Sequence, residues 1–112
     1  MLVTVETMYW TAKLSVATLL LAMATAMPAG ATPVYSTCYE LGGDVGYYEW
    51  AVDEHGNFTD AIYIDNCALD DLGAGAYDYE RVLEHEQGHA QGLSHSSVPS
   101  GTMYPEMLIT GY

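Results

Sequence analysis

The side chains best suited to hold and use a metal ion lie within one short segment, from His85 to His95. His85 and His89 are four residues apart, so on a helix both imidazoles lie on one face and can reach the same ion. His95 lies beyond Gly92, where a bend in the backbone can bring a third imidazole to that ion. Three protein ligands leave a fourth position open for water.

This ligand set is typical of catalytic zinc. An open zinc site lowers the pKa of its bound water to about 7, which makes a hydroxide-like nucleophile at neutral pH. Glu86, next to the first histidine, can accept the proton as the water attacks a peptide carbonyl and pass it to the leaving amine. We therefore predict one Zn²⁺ held by His85, His89 and His95, with Glu86 as the catalytic general base.

The segment His85-Glu-Gln-Gly-His-Ala-Gln-Gly-Leu-Ser-His95 matches the H-E-x-x-H-x-x-G-x-x-H pattern of the metzincin metallopeptidases at every specified position. Downstream, Ser100-Gly-Thr-Met-Tyr-Pro105 resembles the Met-turn of that clan, and its spacing from His95 resembles matrixins. The resemblance implies an apolar floor beneath the ligands at Met103. It also implies a substrate pocket walled by the residues after the turn, which are Tyr104, Pro105, Glu106 and Met107.

The same resemblance implies a fold and a substrate. The expected fold is α+β: a minimal zincin domain in which a small antiparallel or mixed sheet packs on one active-site helix. Matrixin-like peptidases bind an extended polypeptide along an edge strand, and the predicted hairpin at 47–64 is the candidate here. A zinc ligand role for Tyr104 is not expected, because in related clans the ligating tyrosine occupies the position of Pro105.

The N-terminal part of the chain has the features of a targeting segment. An apolar run from Leu14 to Met27 follows Lys13 and is shorter than the roughly 20 residues of a spanning helix. Small residues offer cleavage after Ala31, with a competing site at Ala26. We predict a signal peptide at 1–31, a mature domain at 32–112, secretion, and no stable membrane association after cleavage; an uncleaved anchor is the alternative.

Cysteine content and charge restrict the class of protein further. Cys38 and Cys67 both follow the leader, and an even count in a small exported domain predicts a disulfide, with two buried thiols as the alternative. The chain has 15 acidic residues against two basic ones and a net charge of −13. Such a surface repels nucleic acid, and the sequence does not indicate an oligomeric state.

Hydrophobic periodicity predicts the elements that must position the site. A short strand is expected at 34–39, then a hairpin of strands 47–52 and 58–65 joined by the turn 53–57, where His55 would be exposed. Loop is expected at 66–77, followed by a helix capped by Asp78. The inward stripe of that helix comprises Tyr79, Val82, Glu86, His89 and Leu93, and the tail 94–112 is expected to be loop and turn.

Two questions stay open at this stage. The acidic residues before the helix could bind Ca²⁺, but their spacing differs from a calcium loop and solvated acids are the favoured interpretation: Asp65, Asp70, Asp71 and Asp78. The chain also lacks room for several matrixin helices and strands. A secreted zinc-binding module without turnover, which recognises a peptide or protein partner, is therefore the alternative to an endopeptidase.

Overall fold

Two small sheets hold one long helix in the computed structural model, which describes residues 2–5 and 31–112. The apolar run 14–27, on which the predicted leader depends, lies outside these residues, so the leader and its cleavage site stay predictions. Within the described ranges, no helix has the length and apolar character needed to cross a bilayer.

The elements alternate between strands and helices in the mixed α+β manner expected from the sequence. In chain order they are β1 Leu2–Thr4, β2 Val34–Thr37, β3 Gly46–Val52, β4 Phe58–Asp65, α1 Asn66–Asp71, α2 Ala76–Ala90 and β5 Glu106–Leu108.

The three-stranded sheet has the order β2-β4-β3. Strands β3 and β4 pair antiparallel in register from Gly46 opposite Ile64 to Val52 opposite Phe58, so the predicted hairpin is confirmed. Its turn is held by Asp53, whose carboxylate accepts hydrogen bonds from the backbone of His55 and Asn57. Strand β2 pairs parallel with the other side of β4. The central strand β4 therefore has both sides occupied, and β3 is an edge strand of this sheet.

One apolar cluster joins the sheet, both helices and the smaller strand pair. Alternate residues of β3 and β4 face helix α2, because side chains on a strand alternate between its two faces. Burial of these side chains is the main force that fixes the helix against the sheet. The buried members are Val5, Val45, Tyr48, Ile62, Ile64, Leu69, Val82 and Met107.

The predicted loop at 66–77 is wrong in its first half, because α1 occupies residues 66–71. Asp65 caps this helix: its carboxylate accepts a hydrogen bond from the backbone N–H of Ala68 at 2.9 Å. A helix of six residues is too short for a periodic apolar stripe, so hydrophobic pattern alone could not identify it.

Both ends of helix α2 differ from prediction. Helix α2 begins at Ala76 rather than after Asp78, and Gly75 is the N-cap residue. Asp78 lies inside the first turn, where its carboxylate accepts the N–H of Gly75 at 3.0 Å. The helix ends at Ala90, and Gly92 follows with a φ of 91°. Leu93 therefore lies beyond the helix and is half exposed instead of extending its buried stripe.

The tail was expected to be loop and turn, but it contains strand β5. This strand pairs antiparallel with β1, with Val3 opposite Met107 and Thr4 opposite Glu106. The partner strand lies in the segment that the sequence assigns to the leader. Local sequence pattern could not predict this pairing, because the two strands lie about 100 residues apart in sequence.

The tail is also fastened to the start of α2. Asp78 accepts hydrogen bonds from the backbone N–H and hydroxyl of Thr110 and from the N–H of Gly111. The carbonyl oxygen of Tyr112 in turn accepts the N–H of Tyr77 at 2.7 Å. One buried carboxylate thus joins the helix to the end of the segment that carries β5.

A disulfide between Cys38 and Cys67 confirms the predicted pairing and connects the end of β2 to α1. It joins residues 29 apart in sequence, and closing such a loop restricts the unfolded chain by roughly 3 to 4 kcal/mol. We expect the double variant Cys38→Ser/Cys67→Ser to lower the free energy of unfolding by about that amount. Urea denaturation with and without reductant measures it; a reductant effect on the variant as large as on the parent would contradict the assignment.

Asp78 should make stability depend on pH in acid. Burial alone would raise its pKa, but hydrogen bonds from Thr110, Gly75 and Gly111 outweigh burial and lower the pKa from 3.8 to about 2. Because the folded pKa is the lower one, this stabilisation is complete above about pH 4 and is lost as the pH falls through about 2. Asp78→Asn should lower the free energy of unfolding by about 1 to 3 kcal/mol at neutral pH.

The same variant should also show a flatter stability profile between pH 4 and pH 2 than the parent chain. Glu80→Gln, on an exposed position of the same helix, is the matched control and should keep the parent profile. Equal slopes for Asp78→Asn and the parent would show that the carboxylate does not hold the tail.

Candidate metal centre

Helix α2 and the loop after it bring three imidazoles to one point. His85 and His89 lie one helical turn apart and are buried, and His95 is partly buried. The chain reverses after the helix, with the N–H of Gly92 bonded to the carbonyl of His89 and that of Leu93 bonded to the carbonyl of Gly88. This turn places His95 beside the two helical histidines, as the sequence predicted.

The three Nε2 atoms form a nearly equilateral triangle. The distances from His85 to His89, from His85 to His95 and from His89 to His95 are each 3.2 Å. Nitrogens that bind one tetrahedral zinc at about 2.0 to 2.1 Å lie roughly 3.3 Å apart, so the spacing fits that ion. Within the described part of the chain, this is the one group of three or more potential ligand residues whose ligand atoms lie close enough together to hold one metal ion.

Backbone carbonyls determine which nitrogen of each helical histidine is available. The Nδ1 atom of His85 lies 2.7 Å from the carbonyl oxygen of Thr102, and that of His89 lies 2.7 Å from the carbonyl oxygen of Leu93. Because a carbonyl can only accept, each Nδ1 carries the proton and each Nε2 presents a lone pair. Lone pairs that converge at this distance repel each other unless a cation lies between them, which fits a metal.

Glu86 is wholly buried between the helix and the first residue of β3. A Cβ atom on Gly46 would lie 2.7 Å from its Oε1 atom and 2.7 Å from Val82. Only glycine at position 46 allows the strand to approach the carboxylate this closely. Gly46 is thus a site residue that the sequence analysis did not identify, since its role depends on a contact across 40 residues of sequence.

The segment after His95 packs on the ligand-bearing face of the helix. A Cβ atom on Gly88 would lie 2.3 Å from the Sδ atom of Met103, which explains a glycine in the middle of the helix. The N–H of Ser96 donates to the carbonyl of Met103 at 2.9 Å. Together with the carbonyl of Thr102 on His85, these contacts tie both ends of the segment 96–103 to the histidine cluster.

The predicted pocket wall has a mixed environment. Tyr104, Pro105 and Glu106 are partly buried, whereas Met107 is only 4% exposed and belongs to the core cluster. The structure therefore places Met107 among core residues. His55 is exposed in the hairpin turn, as expected.

A separate cavity of about 260 Å³ adjoins the histidine cluster, and the sequence analysis did not assign it a role. Aromatic side chains from the hairpin form one wall, and the end of α2 forms the other. The hydroxyl of Tyr48 donates to Asp60 at 2.9 Å, and burial followed by this bond raises the pKa of Tyr48. The two-residue spacing of Tyr48 and Trp50 on a predicted strand was the sequence feature that could have indicated an aromatic wall on one face of the sheet. The lining residues are Tyr48, Trp50, Phe58, His89, Ala90 and Gly92.

The acidic residues before the helix are used for capping and for hydrogen bonds with tyrosine. Asp65 and Asp78 are buried helix-capping groups, so the expectation that they are solvated is wrong. Asp70 and Asp71 are exposed, and they accept hydrogen bonds from the hydroxyls of Tyr79 and Tyr39. Calcium binding stays the untested alternative to solvated acids.

Gly88→Ala tests the contact between the helix and Met103. Alanine favours the helix by about 1 kcal/mol, but the added methyl must displace Met103 and with it Thr102, which orients His85. We expect zinc affinity, measured by competition with a chelator, to fall roughly 10-fold or more. Gln87→Ala, at an exposed position, should retain parent affinity. Adding Met103→Ala to Gly88→Ala should recover part of the loss; an additive double variant would argue against this contact.

Comparison with known proteins supports the resemblance found in the sequence. The family profile described as matrixin, peptidase M10, matches residues 10–110. Searches of curated proteins and of solved structures found no match. The matched region covers most of the chain and includes all three histidines, Glu86 and Met103. The chain therefore belongs to the matrixin family of metallopeptidases.

Proposed function

We propose that this chain is a secreted zinc endopeptidase that hydrolyses bonds in extended polypeptide. The observation that carries the proposal is the triangle of Nε2 atoms on His85, His89 and His95, at 3.2 Å from one another, in a chain of the matrixin family. Secretion is supported by the disulfide and by the predicted leader.

The three histidines would hold zinc through Nε2, and the Nδ1 bonds of His85 and His89 fix the orientation of their rings. Bound zinc supplies a Lewis acid that polarises a carbonyl and acidifies a water molecule. Met103, which packs against Gly88, would close the apolar side of the site beneath the rings and limit the movement of the ligands.

Glu86 would act as the general base that takes a proton from the attacking water and gives it to the leaving amine. Its complete burial supports this role, because surrounding side chains and backbone hold the carboxylate in one position beside the ligand-bearing helix. Gly46 acts as a positioning residue by allowing the carboxylate to lie against the start of β3.

The substrate would lie extended beside β3, which is an edge strand of its sheet. Main-chain hydrogen bonds to such an edge bind peptides of varied sequence, and side-chain pockets add preference. Tyr104, Pro105 and Glu106 follow the segment that packs on the ligands and would form one pocket wall. The aromatic cavity of Tyr48, Trp50 and Phe58 beside His89 would take a side chain from another position of the substrate.

Glu86→Gln separates catalysis from metal binding. The amide has nearly the same shape as the carboxylate but cannot act as a base, so we expect hydrolysis of casein or of a quenched peptide library to fall at least 100-fold. Zinc content should stay at one ion per chain. Glu84→Gln, an exposed neighbour on the same helix, should keep parent activity.

The same experiment distinguishes an endopeptidase from a zinc-binding module without turnover. If the zinc-loaded, disulfide-bonded mature domain (32–112) cleaves nothing and its Glu86→Gln variant behaves identically, the chain is a zinc-binding module without turnover. If Glu86→Gln loses zinc as well as activity, the assignment of Glu86 as base rather than structural residue is wrong.

A further inference from the structure

Residues 2–5 lie between two segments that flank the candidate site. On one side, β1 pairs with β5, and the N–H of Val5 donates to the carbonyl of Pro105 at 2.8 Å. On the other side, the carbonyl of Val5 accepts the N–H of Gly46 at 2.9 Å. A short extended segment therefore fills a groove between the start of β3 and the residues after Met103.

The groove takes one side chain fully and leaves its neighbour in solvent. Val5 is 2% exposed and belongs to the core cluster with Val45 and Met107. Thr4 is exposed. Main-chain bonds on both sides, the buried side chain of Val5 and the partly buried side chain of Val3, which packs against the same cluster, are features by which a protein groove binds an added strand.

The groove runs directly past the proposed base. The N–H of Gly46 donates to the carbonyl of Val5, while a Cβ atom on the same glycine would collide with the carboxylate of Glu86. Pro105 and Glu106, which contact the segment from the other side, belong to the proposed substrate wall. Residues 2–5 thus occupy space that borders both the base and this wall.

We propose that residues 2–5 are an internal strand that blocks a peptide-binding groove, and that the vacated groove takes an extended polypeptide with a small aliphatic side chain at the Val5 position. The proposal rests on the proposed endopeptidase function for the identity of the competing peptide as a substrate. Withdrawal of residues 2–5 leaves the N–H of Gly46 and the carbonyl of Pro105 without their strand partner. A peptide in trans restores both bonds and covers Val45 and Met107.

This arrangement links maturation to activity. Cleavage after Ala31, as the sequence predicts, would remove residues 2–5 as part of the leader. A chain that keeps these residues would be latent, and a chain that loses them would have an open groove. Latency would then need no cysteine bound to the metal, in agreement with the engagement of both cysteines in the disulfide.

The test uses the full chain and a labelled peptide with the sequence of residues 2–6. Val5→Asp places a charge in the core cluster and should release the strand, whereas Thr4→Asp adds the same charge at an exposed position of the same strand. By fluorescence anisotropy, we expect Val5→Asp to bind the peptide at least tenfold more tightly than the parent chain. Thr4→Asp should bind like the parent. A control peptide with aspartate in place of Val5 should not bind.

A second variant guards against loss of the fold. Val5→Ala removes only two methyl groups and should shift affinity in the same direction, by about threefold. Helical circular dichroism and bound zinc identify the variants that remain folded. If folded Val5→Asp and Val5→Ala both bind the peptide no better than the parent, residues 2–5 are a permanent part of the fold and the proposal is overturned.

Hydrolysis is measured separately, so that the two proposals can fail independently. Val5→Asp could bind the peptide more tightly while no variant cleaves a peptide library. This result would support the internal strand and contradict the endopeptidase function. The parent could cleave the library while the folded Val5 variants show no rise in peptide binding or cleavage. This result would support the endopeptidase function and contradict the internal strand.

Discussion

The tautomer that backbone carbonyls impose on two buried histidines is the constraint on which the site depends. The carbonyls of Thr102 and Leu93 hold the Nδ1 protons of His85 and His89, so both Nε2 lone pairs converge with that of His95. Such a cluster is unfavourable until a cation occupies it, and the surrounding fold has to hold it open. The turn after Gly92 and the contact of Met103 with Gly88 meet this need with backbone geometry and apolar packing.

The sequence predicted the grouping of the three histidines better than it predicted the fold. Ligands four apart on a helix and a third beyond a glycine form a local pattern, so spacing alone brings His85, His89 and His95 together. The hairpin was also local and was predicted correctly. Helix α1 and strand β5 were missed because one is too short to show periodicity and the other depends on a partner about 100 residues away.

The supporting residues were the least visible from the sequence. Gly46 and Gly88 look like helix or strand weaknesses in isolation, yet each makes room for a particular side chain, Glu86 or Met103. The role of Asp78 was also misassigned. As a candidate N-cap or calcium ligand it explains one end of a helix, but in the structure it also binds the tail at Thr110 and Gly111. These roles arise from contacts between residues that are far apart in sequence, which residue type and local spacing do not reveal.

A fold this small has few ways to keep the region beside its metal centre rigid. A small apolar core gives limited stability, and a disulfide and a buried carboxylate reinforce it at the two ends of the sheet and helix assembly. Strand β1 adds a third connection, between β5 and the start of β3, in the region beside Glu86. If that strand leaves on maturation, the groove loses both its occupant and a brace. Peptide binding would then complete the fold at the site of cleavage, which couples recognition of an extended substrate to the ordering of the site.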